Sequence, residues 1–465
     1  MLRAGFGRAT ITPPLDTPNG IWVAQSHIRP EGLHQDLWVS ALVVEDDQSG
    51  ERLVLLDFDL VMLSGRQAKA VRTEVATATG IPEDHVVPCC THNHAGPASI
   101  DTYADEGQDR VHFYISTLPS YAAGAAVEAS RQMREVRIAG GVGESDIGIN
   151  RDLPLPSGRI VTGPNPAGFA DREVRVVRID TADGSPYVCI VNYQCHPTVL
   201  GPGNKLISPD YPGSTKRVVE AATGAHCFFM QGAAGNMGPV EGFVADKAVA
   251  ERLGTMLGLE AARVFTGIST RAGHRELVGV VESGAPLTEY RFVPDEAGPD
   301  RMVFRSRPLA LPIRHPMAEL YEGAEQRAAN LQADLDRLIA AGADEREIVK
   351  ARQRLIRVEM QLPRARAYRE MDTMEVEMHA LRLGKVAFLL MWGEPYSQIG
   401  AEVKRRSPFP DTVFSGYVGG DPVYIPTPDV YLPRPPFEVE NSPFAPEAAA
   451  VTVAAALDIL RQVAS

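Results

Sequence analysis

One segment orders the whole chain: Val86-Val87-Pro88-Cys89-Cys90-Thr91-His92-Asn93-His94-Ala95-Gly96-Pro97. A short apolar run, typical of a buried strand, leads into His-x-His, and Gly-Pro then ends the strand. Residues two apart on an extended backbone project to the same side, so His92 and His94 point at one spot. At the carboxyl end of a strand that spot suits a zinc ion or a reacting carbonyl, although two hydrogen-bonded histidines at a strand end would show the same pattern.

The composition is that of a folded enzyme. Of the 465 residues, 44% are hydrophobic and 23% are charged, which excludes a disordered chain and predicts a large core. The net charge of -13 argues against a broad basic face, so we expect no nucleic-acid partner. No apolar run is long enough to span a bilayer, and no stable membrane insertion is expected. We predict a single domain over residues 1–465, and the sequence leaves a homo-oligomer open.

Cysteine usage and the N-terminus predict a cytoplasmic protein. The 5 cysteines cannot all pair within one chain, and they lie in or beside apolar runs, where buried free thiols are common. No C-x-x-C pair occurs, which argues against a cysteine zinc site. The start of the chain, Met1 to Gly7, lacks the long apolar segment of a secretory signal.

Strand and helix patterns alternate and predict an α/β fold. Two apolar runs flank a turn at Asp46–Gly50, a helical pattern over 67–79 stops at Gly80, and the strand before His92 follows. Between residues 317 and 370 the pattern changes to two amphipathic helical stretches on either side of Gly342. This change predicts an antiparallel helical hairpin inserted into the α/β domain.

The same design recurs at three later strand ends. An apolar run precedes each of His196, Glu394 and Tyr417, and Pro or Gly breaks the chain nearby. Imidazoles with one carboxylate make a plausible zinc set that leaves one position for water. Taken singly, Glu394 is also explained as an acid near a helix N-terminus, and Tyr417 as a residue of the core.

A glycine-rich turn, Gly232 to Pro239, follows another buried strand. It lacks the Lys-Ser/Thr of a phosphate loop, so we exclude a nucleotide site. Its glycines allow backbone N–H groups to come close to a ligand, and a tight strand-to-helix turn explains them as well.

Six short motifs in chain order resemble the catalytic N-terminal domain of neutral ceramidases. They are Ala4–Pro13, Thr91–Pro97, Ile149–Arg151, His196-Pro197, Gly393–Pro395 and Ser415–Tyr417. The resemblance implies a mixed-sheet, ceramidase-like α/β domain that holds one zinc ion per chain. Its ligands in this chain would be His92, His196, Glu394 and Tyr417. By the same resemblance, His94 and Arg151 face the scissile amide.

The chain departs from the family pattern at two points. The family's G-D-x-S-P-N turn, whose serine has been assigned a catalytic role, corresponds here to Gly235-Asn236-Met237-Gly238-Pro239, which excludes a seryl nucleophile at position 238. Family members usually carry a signal peptide and a C-terminal β-sandwich, and this chain ends without either. We therefore expect a small soluble substrate rather than ceramide.

These interpretations together predict a zinc-dependent hydrolase that cleaves an amide (N-acyl) bond with a zinc-activated water. The groups expected to act in catalysis are His94, Arg151 and Tyr417. The groups expected to bind the substrate are Arg151, Asn236, Gly238 and Tyr431. A carboxylate, Asp57 or Asp59, is expected to hold the second ring nitrogen of a ligand histidine.

Three alternatives remain open at this point. An esterase or lactonase would use the same residues on the same scaffold. A barrel-type metal amidohydrolase also has His-x-His, but on its first strand, whereas several strands precede the motif here. A non-enzymatic metal-binding protein would need no proton-transfer group such as His94 beside the metal.

Overall fold

Two open β-sheets packed face to face form the centre of the structure. The computed structural model describes every residue except 20–21, 26, 100–106, 272, 296–299, 315–316 and 421–422. Up to residue 267 the described elements are β1 (Leu2–Thr10), β2 (Gly32–Leu33), β3 (Trp38–Asp46), β4 (Glu51–Phe58), α1 (Gly65–Thr79), β5 (Val86–Cys90), α2 (Gln108–Arg131), β6 (Arg134–Glu144), β7 (Gly148–Asn150), β8 (Asp152–Pro154), β9 (Ile160–Thr162), β10 (Glu173–Thr181), β11 (Pro186–Tyr193), β12 (Leu206–Ile207), α3 (Asp210–Thr223), β13 (His226–Gln231), β14 (Met237–Pro239) and α4 (Lys247–Gly267).

The remaining elements form the smaller sheet, the helices that cover it and two inserted segments. They are β15 (Gly273–Glu282), β16 (Pro286–Pro294), β17 (Met302–Pro312), α5 (Met317–Ala340), α6 (Glu345–Glu359), α7 (Leu362–Tyr368), β18 (Thr373–Leu383), β19 (Val386–Met391), β20 (Glu394–Pro395), α8 (Ser397–Arg406), β21 (Asp411–Ser415), β22 (Tyr424–Ile425), α9 (Phe437–Glu440) and α10 (Ala448–Ala464).

Both sheets are mixed, as the sequence predicts. The larger sheet has the order β13-β11-β10-β6-β1-β3-β4-β5 and the smaller one β17-β18-β19-β21. Neighbours are antiparallel except β4 with β5, β11 with β13 and β19 with β21, which are parallel. Within the described residues neither sheet closes on itself, so the barrel-type amidohydrolase alternative is excluded.

Period-two side-chain alternation explains why the strands are apolar throughout. In β4, Leu53 and Leu55 point into the core between the two sheets, where they meet Phe388 and Leu390 of β19. The alternate residues of the same strand point outward to helices α1 and α2. A sheet covered on both faces needs apolar side chains on both.

Helices cover the outer faces of both sheets. Helices α1 and α2 pack on the β1-β3-β4-β5 half of the larger sheet, and α3 and α4 pack on the other half. Helices α8 and α10 cover the smaller sheet. The result is an α/β/β/α layering, and it confirms the predicted mixed α/β class.

The Ala-Gly-Phe-Gly motif at the start of the chain has a packing role. A Cβ at Gly5 would lie 1.9 Å from the carbonyl oxygen of Ala129, and one at Gly7 would lie 2.2 Å from that of Ala125. Both carbonyls belong to α2. The two glycines of β1 therefore let the helix backbone rest directly on the strand.

The predicted helical hairpin is α5 and α6, inserted between the adjacent strands β17 and β18. Its seam buries Ala328 and Leu335 of α5 against Ala351 and Leu355 of α6. Asp344 caps α6 by accepting a hydrogen bond from the backbone N–H of Arg346. The hairpin thus carries an apolar seam of its own.

A two-stranded ribbon, β15 with β16, is largely exposed. Leu277, Val280, Tyr290 and Phe292 on it are 56%, 61%, 52% and 44% exposed. Among the described residues no helix combines the length and apolarity that a membrane crossing requires.

Candidate metal centre and active site

The predicted site residues lie close together at one edge of the two packed sheets. His92 follows β5, His196 follows β11, Glu394 follows β19 and Tyr417 follows β21. The pairings make β5 and β11 run in opposite directions along the order of the larger sheet. The side chains after β5, β11 and β19 nevertheless meet, with their polar atoms 3.1 to 3.4 Å apart. The edge of an α/β sheet at the carboxyl ends of its strands is the usual place for a ligand site.

Hydrogen bonds of the ring nitrogens fix the orientation of two histidines. The Nδ1 of His92 lies 2.7 Å from the carbonyl oxygen of Val61, and the Nδ1 of His196 lies 2.7 Å from that of Ala234. A carbonyl oxygen only accepts, so each Nδ1 must carry the proton. In the neutral rings the Nε2 atoms then present lone pairs, and these two atoms are 3.1 Å apart.

Glu394 adds a third acceptor to the same spot. Its Oε2 lies 3.4 Å from the Nε2 of His92 and 3.3 Å from that of His196. This oxygen is buried and has no hydrogen-bond partner, and neither has the hydroxyl of Tyr417. Buried acceptors that face one another without a donor repel, and a cation between them removes the repulsion.

The spacing of these atoms fits a tetrahedral metal. Zinc–nitrogen bonds of about 2.0–2.1 Å place tetrahedral ligand atoms about 3.3 Å apart. The separations among His92 Nε2, His196 Nε2 and Glu394 Oε2 are 3.1, 3.3 and 3.4 Å. Burial lowers the pKa of both histidines well below its ordinary value, so the rings are neutral and able to bind.

His94 lies beside these atoms. Its Nε2 is 3.2 Å from that of His92, so that His92, His94 and His196 form a group able to hold a metal ion. Its Nδ1 is buried without a partner, and burial lowers its pKa well below the ordinary value. Such a ring can ligate the metal or face the substrate, and its assignment to proton transfer stays a prediction.

Two of the predicted ligands have left-handed backbone conformations. The φ angle is 65° at His92 and 60° at Tyr417, where non-glycine residues are rare and cost roughly 1–3 kcal/mol each. Cys90 N–H donates to the carbonyl of Tyr417, and Gly419 N–H donates to that of Pro88. These bonds tie the segment after β21 to the edge strand β5 and hold the strained conformations in place.

Arg151 is buried next to the cluster and is anchored on the protein. Its Nη2 donates to the carbonyl oxygen of Gly235 at 2.8 Å and to the hydroxyl of Tyr424 at 3.3 Å, and it lies 2.8 Å from Glu438 Oε1. Its Nε has no partner. Burial alone would lower the pKa of Arg151, but Glu438, Tyr424, Tyr417 and Glu394 together outweigh it and the pKa is raised. Arg151 is therefore a fixed cation.

Glu438, Asp152 and Tyr424 are functional candidates that sequence reasoning missed. Burial and, to a lesser extent, the nearby Glu438 raise the pKa of Asp152 to about 7. Burial also raises the pKa of Glu438, against the opposing charge of Arg151. No local motif marks Glu438 or Tyr424, because their meeting with Arg151 depends on the long-range packing of α9 and β22. Asp152 directly follows Arg151 in the chain, but its burial is not visible in the sequence.

The turn 232–239 uses its side chains and glycines differently from the prediction. Asn236 accepts a hydrogen bond from Ser397 N–H and donates one to Gln398 Oε1, each at 2.8 Å, so both ends of its amide hold the start of α8. A Cβ at Gly238 would meet Arg151 at 3.4 Å, an ordinary contact, whereas one at Gly235 would lie 2.6 Å from the carbonyl oxygen of Glu394. Gly235 is the glycine that a close approach requires. The roles predicted for Asn236 and Gly238 in substrate binding stay predictions.

Two other expectations meet a different arrangement. The hydroxyl of Tyr431 donates to the carbonyl oxygen of Phe444 at 2.9 Å, and no described contact joins Tyr431 to the histidine cluster. Asp57 and Asp59 do not hold a ligand histidine, since that part is taken by backbone carbonyls. They instead flank the buried Lys216 Nζ, at 2.6 and 2.8 Å.

A cavity borders the cluster on the side of His92, Glu394 and Tyr417. Its apolar lining comes from Met62, Leu63, Trp392 and Val418, and three glycines, at 393, 419 and 420, also border it. Neither His94 nor Arg151 lines it. The candidate centre therefore has an apolar side and a side with potential proton-transfer and anchoring groups.

Similarity to known proteins agrees with this geometry. The model of the neutral/alkaline non-lysosomal ceramidase N-terminal domain matches residues 2–246. The chain is 27% identical over 249 residues to the neutral ceramidase of Pseudomonas aeruginosa, and 27% identical over 221 residues to neutral ceramidase A of Dictyostelium discoideum. These matches cover 51% and 45% of this chain, and 37% and 30% of the relatives.

The fold has solved counterparts. The crystal structure of neutral ceramidase from Pseudomonas aeruginosa superimposes with a TM-score of 0.66 at 19% identity, covering 99% of this chain and 74% of that chain. A ceramidase complexed with C2 gives a TM-score of 0.65 at 18% identity, with the same coverage. The matched sequence spans about a third of the curated relatives' length, 37% and 30%. At 18–19% identity the structural likeness concerns the fold alone.

The geometry at Gly235 predicts a loss of metal binding on substitution. Gly235→Ala should displace the backbone of Glu394, because the new Cβ would lie 2.6 Å from its carbonyl oxygen. We expect metal affinity, measured by chelator competition, to fall at least about tenfold. Gly238→Ala, whose Cβ has ordinary contacts, is the matched control and should bind metal as the wild type does. Equal affinities of the two variants would contradict this account.

The buried pair of Arg151 and Glu438 predicts a large effect on stability. Glu438→Leu leaves the Arg151 guanidinium buried without its carboxylate, and we expect the free energy of unfolding to fall by about 3–5 kcal/mol. The double variant Arg151→Met, Glu438→Leu should recover most of that loss because no charge remains buried. Urea denaturation of the two variants and the wild type measures both effects. An unchanged stability in Glu438→Leu would mean that the pair is not desolvated.

Proposed function

The chain belongs to the neutral/alkaline non-lysosomal ceramidase family, a family of amide-bond hydrolases, and from this we propose that it is a zinc-dependent hydrolase of N-acyl amides. The proposal rests on one observation above all. Two imidazole Nε2 atoms and Glu394 Oε2, all buried, face one another at 3.1 to 3.4 Å, and Glu394 Oε2 has no hydrogen-bond partner. His92, His196 and Glu394 would hold the metal, with the unpartnered Tyr417 hydroxyl as the fourth ligand.

Bound zinc would supply a Lewis acid that polarises the amide carbonyl and lowers the pKa of water to about 7. His94, neutral because of its burial, is able to take a proton and to hand it to the departing amine. Arg151 offers its unpartnered Nε–H to an oxygen of the substrate. Its charge is held in position by Glu438 and by the carbonyl of Gly235, so it needs no reorientation when the substrate binds.

We place a small soluble N-acyl compound ahead of ceramide as the substrate. Gly238 stands where the family turn has serine, so water rather than a seryl group is the nucleophile of this proposal. Hydrolysis of an ester or lactone is the second candidate, because the same groups would serve a carbonyl with an alkoxide leaving group.

A screen of the zinc-loaded protein against matched N-acyl amides, esters and lactones tests the proposal. We expect amide hydrolysis that chelators abolish and added zinc restores, without a burst of one product per chain. Fluorophosphonate treatment should leave activity intact. Labelling of a serine with loss of activity, or turnover that survives metal removal, would overturn the water mechanism, and a preference for esters or lactones would favour the second candidate.

His94→Ala separates proton transfer from metal binding. We expect this variant to retain one zinc ion per chain and to lose about 10²-fold or more in kcat, as for a general acid–base group. His92→Ala is the matched control and should lose the metal as well as activity. Elemental analysis and steady-state kinetics measure both quantities. Loss of zinc from His94→Ala would make His94 a ligand instead.

A further inference from the structure

An aromatic corner stands directly beside His94. The ring of Trp22 packs against His94 with centroids 5.2 Å apart, and the ring of Phe243 meets Trp22 edge to face at 5.7 Å and an angle of 86°. Two ring planes at nearly a right angle form two walls. A flat group placed between them contacts one ring by stacking and the other by its edge, which are the two favourable arrangements of aromatic pairs.

Phe243 is held in an unfavourable backbone conformation. Its φ angle is 59°, a left-handed value that is a genuine outlier for a bulky aromatic residue. Its N–H donates to the carbonyl of Thr198, and a Cβ at Gly201 would lie 2.6 Å from its backbone. The segment just after His196 therefore clamps Phe243 in this conformation.

The strained residue has little structural reason to be aromatic. The side chain of Phe243 remains 38% exposed, so burial in the core does not account for it. Strain that persists beside a reactive group points to a ligand-binding role. The other positive-φ residues at this edge, His92 and Tyr417, belong to the candidate metal centre.

Trp22 also has an unused hydrogen-bond donor. Its Nε1 is buried without any partner, as is the Nδ1 of His94. A buried indole N–H normally donates to an acceptor, and Trp22 has none within the protein. A ligand oxygen would supply this acceptor. Two aromatic rings and an unpartnered N–H donor suit a ligand that is flat and carries a hydrogen-bond acceptor nearby.

We propose that Trp22 and Phe243 form a specificity site for a flat aromatic group on the amine side of the scissile amide, with the indole N–H donating to a substrate oxygen. This inference rests on the proposed function, in which His94 protonates the leaving amine. The substrate class is accordingly an N-acyl derivative of an arylalkyl amine. A saturated ring or a flexible alkyl chain of the same size fits the corner less well, because neither stacks.

Two amides that differ in whether the six-membered ring is aromatic or saturated test the inference. They are N-acetyl-2-phenylethylamine and N-acetyl-2-cyclohexylethylamine, whose leaving amines are closely matched. Binding of both to the metal-free protein is measured by calorimetry, and their hydrolysis by the zinc-loaded protein is measured as kcat/KM. We expect the phenyl compound to be favoured about tenfold in both measurements, as two aromatic contacts would give.

Variants at the corner separate a ligand-binding role from a structural one. Phe243→Gly removes the ring and relieves the positive φ, so the preference should vanish while the melting temperature stays equal or rises. Trp22→Phe keeps a ring but removes the N–H. It should leave binding of the phenyl compound, whose only oxygen is the amide carbonyl, nearly unchanged, and it should weaken binding of the 4-methoxyphenyl analogue about fivefold. Phe292→Leu, on the exposed ribbon, is the control and should keep the full preference.

The outcomes distinguish this inference from the proposed function. Equal binding of the two amides by the wild type, or a melting temperature that falls in Phe243→Gly, overturns the aromatic site even if amides are hydrolysed. Selective binding without hydrolysis of any amide supports the aromatic site and counts against the proposed function.

Discussion

The packing of the two sheets on one another is the constraint on which the candidate site depends. Leu55 of the larger sheet and Phe388 of the smaller one are fully buried in the same inter-sheet core. His92 and His196 follow strands of the larger sheet, whereas Glu394 and Tyr417 follow strands of the smaller one. Apolar burial, which is not directional, thus brings together polar groups whose positions must be accurate to a fraction of an ångström.

Backbone hydrogen bonds convert this packing into a precise geometry. The ring nitrogens of His92 and His196 that point away from the cluster are both held by main-chain carbonyls, which fixes ring orientation and tautomer together. The left-handed conformations of His92 and Tyr417 are stabilised by the pairing of residues 417–419 with β5. The protein holds repelling acceptors together in advance, so a metal ion finds the site already formed.

Sequence patterns predicted what depends on neighbouring residues. The prediction that His92 and His94 share one spot agrees with the 3.2 Å between their Nε2 atoms, although His92 has a left-handed rather than an extended backbone. Apolar runs before His196 and Glu394 marked further strand ends. Heptad-like spacing likewise predicted the α5–α6 hairpin with its own seam. What escaped prediction depends on contacts between distant segments. Glu438 meets Arg151 only after α9 packs beside β9 and β22, and Lys216 rather than a histidine neutralises Asp57 and Asp59. Tyr424, which reaches Arg151, is not marked by any sequence pattern, and the role predicted for Tyr431 in substrate binding stays a prediction.

The parallel strand pairs that carry the cluster also set the order of events during folding. A parallel pair needs a crossover connection, so β4 with β5, β11 with β13 and β19 with β21 all form non-local contacts, whose loop-closure entropy opposes their early formation. An incompletely folded chain offers a metal ion only the local pair of His92 and His94. The full ligand set exists only after the smaller sheet has docked on the larger one. A metal ion held by all four proposed ligands would therefore bind late in folding, and its rate of uptake would report when the two sheets come together.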